Sequence, residues 1–253
     1  MEYVRGKLKK SDGSEIPFIQ NVQDSHRRIL LCLHGFAGDK DSSVIAALME
    51  YFDEKAVGII AFDWPAHGES NKPDSSLTVE DCLGDLDFVV KWIEQTFDVP
   101  IACFATSFGG FLATLYRNQN PEAFLCLILR SPALRMKEVF RNLISDDEYS
   151  IIEQGKEIIV GFDRKMSIGW GFYESLCANE AYSVVPPFPQ NVFIIQGDQD
   201  QVVNPIDTIT YAKKHGIRIA VFEGTDHVYK KPGEKERIIE VTARFLLERS
   251  GDH

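Results

Sequence analysis

The chain has 253 residues, 44% of them hydrophobic, enough for one large α/β domain with a sizeable core. Its net charge of -11 argues against a nucleic-acid or anionic-membrane partner, because both attract proteins through surplus Lys and Arg. The cysteine count of five is odd and there is no Cys-x-x-Cys pair; Cys32, Cys103 and Cys126 lie in apolar runs, where they serve as small hydrophobes.

Residues 1–10 lack the apolar core of a signal peptide, and no run approaches the ~20 apolar residues of a membrane helix, so a cytoplasmic location is expected. Tyr3 to Lys9 alternates, Ser11 to Ser14 supplies a turn and Ile16 to Ile19 resumes, which predicts an edge hairpin that tolerates Pro17. The pattern then changes to short, continuously apolar runs at 29–33, 57–62, 101–104, 124–129, 192–195 and 217–222. Such runs suit strands buried on both faces of a parallel sheet.

Helical patterns fill the gaps. Ser42 to Glu54 is one; Thr78 to Phe97 is another, with Thr78 as cap three residues before Asp81 and a stripe of Cys82, Leu86, Val89, Ile93 and Phe97. Asn204-Pro205 opens a further helix, and the last runs from about Gly233 to Glu248 with Ile238, Val241 and Phe245 inward. This alternation predicts a mostly parallel sheet, eight-stranded with the hairpin, and helices on both faces. It lapses between Ala133 and Pro187. Helices are expected there near Met136 to Phe140 and Tyr173 to Asn179, with a turn between Glu157–Val160 and Lys165–Ile168. The expected division is a core of 1–132 and 188–253 with a cap of 133–187.

Ligands collect at the carboxyl ends of the strands of an open parallel sheet. After Leu33 comes His34-Gly35-Phe36-Ala37-Gly38; after Phe62, Asp63 through Ser70; after Phe104, Ala105-Thr106-Ser107-Phe108-Gly109. After Ile195 comes Gln196-Gly197-Asp198-Gln199-Asp200, and after Phe222, Glu223-Gly224-Thr225-Asp226-His227. A tight strand-to-helix turn at Ser107 admits only small residues two positions to either side, and Ala105 and Gly109 comply. Serine, acid and histidine, each just past a strand in that order, are what a nucleophile-acid-base triad requires of this topology. Asp198 and Asp200 both lie within reach of the acid's place.

These five landmarks together resemble the α/β-hydrolase family over nearly the whole chain, and within it the bacterial cinnamoyl/feruloyl-type esterases. The departure is Ala105, where that family most often has glycine. The resemblance implies Ser107 as nucleophile, His227 as base and Asp200 as orienting acid. The tetrahedral intermediate needs waiting donors, and the backbone N–H groups of Phe36 and Phe108 are the expected ones. His34 and His67 are expected to hold their loops, His215 to sit at a helix C-terminus near the dipole, and His26 and His253 to face solvent. No zinc spacing or phosphate loop is present, so no cofactor or metal is implied. Trp170, Phe172 and Tyr173 offer an aromatic wall for substrate. The expected activity is hydrolysis of a small-molecule ester through an acyl-enzyme. Rival expectations are a monoacylglycerol lipase, a serine aminopeptidase holding a substrate ammonium with Glu174 or Glu180, and a non-catalytic binding module on the same fold.

Overall fold

The structure, a computed structural model, describes residues 3–161 and 164–248. Strands β1 (Val4–Lys9) and β2 (Glu15–Gln20) form the expected antiparallel hairpin. Strands β3 (Arg28–Leu33), β4 (Val57–Phe62), β5 (Ile101–Thr106), β6 (Leu127–Arg130), β9 (Val192–Gly197) and β10 (Arg218–Phe222) run parallel to one another. Among the described residues the main sheet has eight strands, in the order β1-β2-β4-β3-β5-β6-β9-β10.

The continuous apolar runs are explained by helices on both sides. Ile29, Leu31 and Leu33 of β3 point into a core shared with Leu86 and Val89 of α2 (Val79–Thr96) and Leu112 of α3 (Phe108–Gln119). Leu30 and Cys32 point the other way, toward Leu48 and Phe52 of α1 (Ser43–Phe52) and Ile238 and Phe245 of the C-terminal helix (Glu234–Glu248). Thr78 caps α2 by accepting the Asp81 N–H at 3.1 Å, as its sequence predicts, but the helix stops at Thr96 and Phe97 lies just beyond it.

Several expectations change. Pro17 is not on an edge: β2 pairs with β4 as well as β1. It is accommodated because the β2–β4 register begins only at Phe18, so the missing donor falls beyond the ladder, and its carbonyl still accepts the Asp63 N–H at 2.9 Å. Conversely β10 is a sheet edge, with Val221 exposed, and not a strand buried on both faces. β6 begins at Leu127, three residues later than its apolar run. His26 is buried, its Nδ1 accepting the Gln23 N–H at 3.1 Å, while His253 lies outside the described residues.

Between β6 and β9 the chain forms α4 (Met136–Leu143), α5 (Asp146–Glu153), a two-stranded hairpin of β7 (Ile158–Val160) and β8 (Met166–Ile168), and α6 (Trp170–Ala178). The hairpin's connection includes residues 162–163, outside the described residues. The sequence reading missed α5 although its signal was there: Ser145 and Glu148 make a reciprocal capping box. α7 (Pro205–His215) opens on Asn204, which accepts the Ile206 N–H at 3.0 Å, and the C-terminal helix is α8.

Two glycines separate backbone freedom from close approach. A Cβ on Gly84, exposed inside α2, would meet nothing within 4 Å, whereas one on Gly109 would lie 2.5 Å from the His34 carbonyl oxygen. Gly84→Ala is expected to raise the unfolding free energy by about 1 kcal/mol through helix propensity. Gly109→Ala should lower it by about 1 to 3 kcal/mol through overpacking. Denaturant midpoints measure both, and equal effects at the two sites would contradict this account of the α3–β3 contact.

Candidate active site

Ser107 stands between the end of β5 and the start of α3 with φ 51° and ψ -113°, a conformation that non-glycine residues rarely adopt. Its backbone is pinned on both sides. The N–H donates to the Arg130 carbonyl at 3.0 Å, and the carbonyl accepts from Phe111 and Ala133, each at 3.1 Å. The turn is tight because Ala105 is fully buried and Gly109 touches β3, as the sequence pattern requires. The Ser107 hydroxyl is left free to meet His227.

His227 Nε2 lies 3.1 Å from Ser107 Oγ and its Nδ1 lies 2.8 Å from Asp200 Oδ2. Asp200 is the acid brought to the imidazole; Asp198 instead accepts the Gly224 N–H at 2.6 Å and ties the loops after β9 and β10 together. The other Asp200 oxygen takes the N–H groups of Val202 and Val203 at 2.9 and 2.8 Å, and Gln196 Nε2 donates to Oδ2 at 3.1 Å. Burial raises the Asp200 pKa, but the hydrogen bonds and charge interaction with His227 and the backbone donors outweigh it and leave the carboxyl below its ordinary value.

The loop after β3 presses on this group. A Cβ on Gly35, the residue before Phe36, would meet Ser107 Cβ at 3.3 Å, so this loop lies against the serine. Neither the Phe36 nor the Phe108 N–H meets an acceptor among the described residues; Phe108 is the first residue of α3, where the N–H has no intrahelical partner. His34 anchors the loop: its Nδ1 donates to the Gly35 carbonyl at 2.8 Å and its Nε2 accepts the Trp64 N–H at 3.3 Å. His67 Nδ1 donates to the Pro65 carbonyl at 2.8 Å, while its buried Nε2 has no partner among the described residues.

The three aromatic residues expected to bind substrate are not equivalent. Phe172 stacks on Phe36 at 5.6 Å between ring centroids and meets Phe108 edge-on at 5.9 Å, so it packs on the side chains of the two residues that carry those N–H groups. Trp170 and Tyr173 pack on each other and on Tyr149, and Tyr173 reaches this group only through Phe140. Glu174 and Glu180 are exposed, and Glu180 accepts the Tyr182 N–H at 2.7 Å.

Sequence reasoning passed over the end of β6. Ser131, fully buried with φ 43°, lies 3.1 Å from the Tyr229 hydroxyl, and Arg130 stacks over the Tyr229 ring. The strand-end logic applied to the other parallel strands would have found Ser131. Asp226, one residue before His227, accepts the N–H groups of Val228 and Tyr229, each at 2.9 Å, and shapes the turn that presents the imidazole. Among the described residues no group of three or more His, Cys, Asp or Glu is placed to hold a metal, and no helix is long and apolar enough to cross a membrane.

Comparison with known proteins agrees with this architecture. The alpha/beta hydrolase fold family matches residues 28–190, and the chain belongs to that family. Acylamino-acid-releasing enzyme 2 from Oryza sativa subsp. japonica is 26% identical over 140 residues; the match spans 50% of this chain but only 18% of that longer protein. Est1E from Butyrivibrio proteoclasticus, solved with ferulic acid bound, superposes with a TM-score of 0.83 at 21% identity, covering 98% of this chain and 99% of the other. The Pyrococcus furiosus esterase Pf2001 gives 0.71 at 16% identity, covering 98% and 92%. At these identities the solved structures speak to the fold.

Burial pushes the His34 pKa down to about 4 and that of His67 to about 3, so both rings are neutral at neutral pH. In the unfolded chain each protonates near 6.5, so between there and the folded values the unfolded state binds more protons and stability falls as pH drops. Denaturant midpoints measured from pH 7 to pH 4 are expected to decline. His67→Asn should flatten that slope by up to one proton, and a slope unchanged by the substitution would refute the assignment.

Proposed function

We propose that this chain is a serine carboxylic ester hydrolase that forms an acyl-enzyme, acting on aromatic (hydroxycinnamoyl-type) or short-chain esters. The observation that carries the reading is the continuous hydrogen-bonded line Ser107–His227–Asp200 facing two unspent backbone donors. A serine hydroxyl is a weak nucleophile at neutral pH; His227 takes its proton as Oγ attacks the ester carbon and returns it to the departing alcohol. Asp200 donates no proton. It holds the Nδ1–H tautomer and stabilises the imidazolium. The oxyanion accepts the N–H groups of Phe36 and Phe108, and water activated by the same histidine then releases the acid. Residues 133–187 form the cap over this site, with Phe172 as the contact nearest the acyl group.

Two comparisons bear on the substrate. The fold shared with Est1E, whose structure holds ferulic acid, together with the aromatic lining favours aromatic acyl groups. The rice relative points to acylated amino acids, but Glu174 and Glu180 lie in solvent and offer no buried anchor for an ammonium. The acidic chain is expected to bind neither nucleic acid nor an anionic membrane, and the site is expected to work in the cytoplasm.

The test is a panel of aryl, alkyl and hydroxycinnamoyl esters with a monoacylglycerol and a peptide amide. Wild type should hydrolyse the esters best. Ser107→Ala should lose at least ~10⁴-fold in kcat, and Asp200→Asn about 10³- to 10⁴-fold, with the fold kept by circular dichroism. A fluorophosphonate should add mass at Ser107 alone. Substantial turnover by Ser107→Ala would overturn the mechanism.

A further inference from the structure

Lys40 is 1% exposed, yet its ammonium is 2.8 Å from Asp63 Oδ2 and 2.8 Å from Glu69 Oε2. Asp63, also 1% exposed, gathers donors from both loops. Its Oδ1 accepts the Lys40 backbone N–H at 2.8 Å, and its Oδ2 accepts the Glu69 N–H at 2.9 Å in addition to the ammonium. The two loops are those after β3 and β4. Gly68, with φ 52°, passes so close that a Cβ there would lie 2.2 Å from the Asp63 carboxylate.

A buried ion pair of this kind is a poor source of stability, since desolvation of both charges offsets most of their attraction. What it does supply is registration. The segment between His34 and Lys40 carries the Phe36 N–H, and its own backbone closure is a single turn bond, Gly38 N–H to the Gly35 carbonyl at 3.1 Å. Ala37 within it has φ 58°, a strained value for alanine. The upstream end is anchored by His34 to Trp64 through a neutral hydrogen bond, and the downstream end by Lys40 to Asp63. The Phe36 N–H is thus held between two clamps on the same neighbouring loop, one neutral and one ionic.

We infer that Lys40 is a positioning residue: through Asp63 it fixes the β3 loop so that the Phe36 N–H meets the developing oxyanion. This rests on the ester-hydrolase reading above. Lys40 touches no reacting atom, so its loss should appear in the transition state and leave ground-state binding nearly intact.

The experiment measures kcat and KM separately for Lys40→Met, Gly68→Ala and Glu69→Gln, each normalised to sites titrated with a fluorophosphonate and assayed well below its Tm. For Lys40→Met and Gly68→Ala, kcat is expected to fall roughly 10- to 100-fold with KM within about threefold, the range for a misplaced donor. Glu69→Gln, whose side chain is 64% exposed and whose backbone N–H remains, should lose only a few-fold. If Lys40→Met fails to fold, Gly68→Ala decides, because it displaces Asp63 while both charges stay. A lowered Tm with kcat per titrated site within twofold of wild type would make the pair merely structural and overturn the inference. Wild type that neither cleaves any ester nor labels at Ser107 would overturn the hydrolase reading first, and this inference with it.

Discussion

The backbone at Ser107 is the constraint on which the site depends. A left-handed conformation at a residue with a side chain costs on the order of 1 to 3 kcal/mol and persists only when its surroundings leave no alternative. Here they leave none. Ser107's N–H is committed to the end of β6, its carbonyl to α3 and to Ala133, and Gly109 allows α3 to sit against the end of β3. Relaxing φ would break these contacts together, and the hydroxyl would turn away from His227.

Around this point the protein separates charge from neutrality. Asp200 stays ionised inside a shell of N–H donors, while His34 and His67, whose ring centroids are 5.3 Å apart, are kept uncharged by burial. In the proposed mechanism, a cationic imidazole at either place would compete for the negative charge assigned to the two backbone donors. Lys40, a buried cation, is neutralised at once by Asp63 and Glu69. The carboxylate held directly against the imidazole is Asp200's.

Strand positions, the helix caps at Thr78 and Asn204, and the line from Ser107 through His227 to Asp200 were legible in the sequence, because each rests on local patterning or on chain order in a known topology. The choice between Asp198 and Asp200 was not legible from spacing alone, since both follow β9; geometry separates them, one bonding to Gly224 and the other to the imidazole. Pro17 and His26 were misjudged because edge position and exposure are properties of the assembled sheet. Local sequence does not reveal that β2 pairs with β4 on its other side, or that Gly58 leaves room for the His26 ring. The Lys40–Asp63 pair and the Ser131–Tyr229 contact join residues 23 and 98 positions apart, and nothing in either segment announces the other.

The hydrogen bond from the Ala133 N–H to the Ser107 carbonyl also sets a boundary for anyone recombining this chain with relatives. The first residues after β6 belong to the serine's own support, although in sequence they open the stretch where strand–helix alternation lapses. A chimera that exchanges the stretch from Leu134 onward keeps that donor native. One spliced at Ser131 imports a foreign backbone beneath the reactive hydroxyl, along with whatever replaces the Tyr229 contact. Modularity in this molecule begins at Leu134, one residue into the 133–187 division.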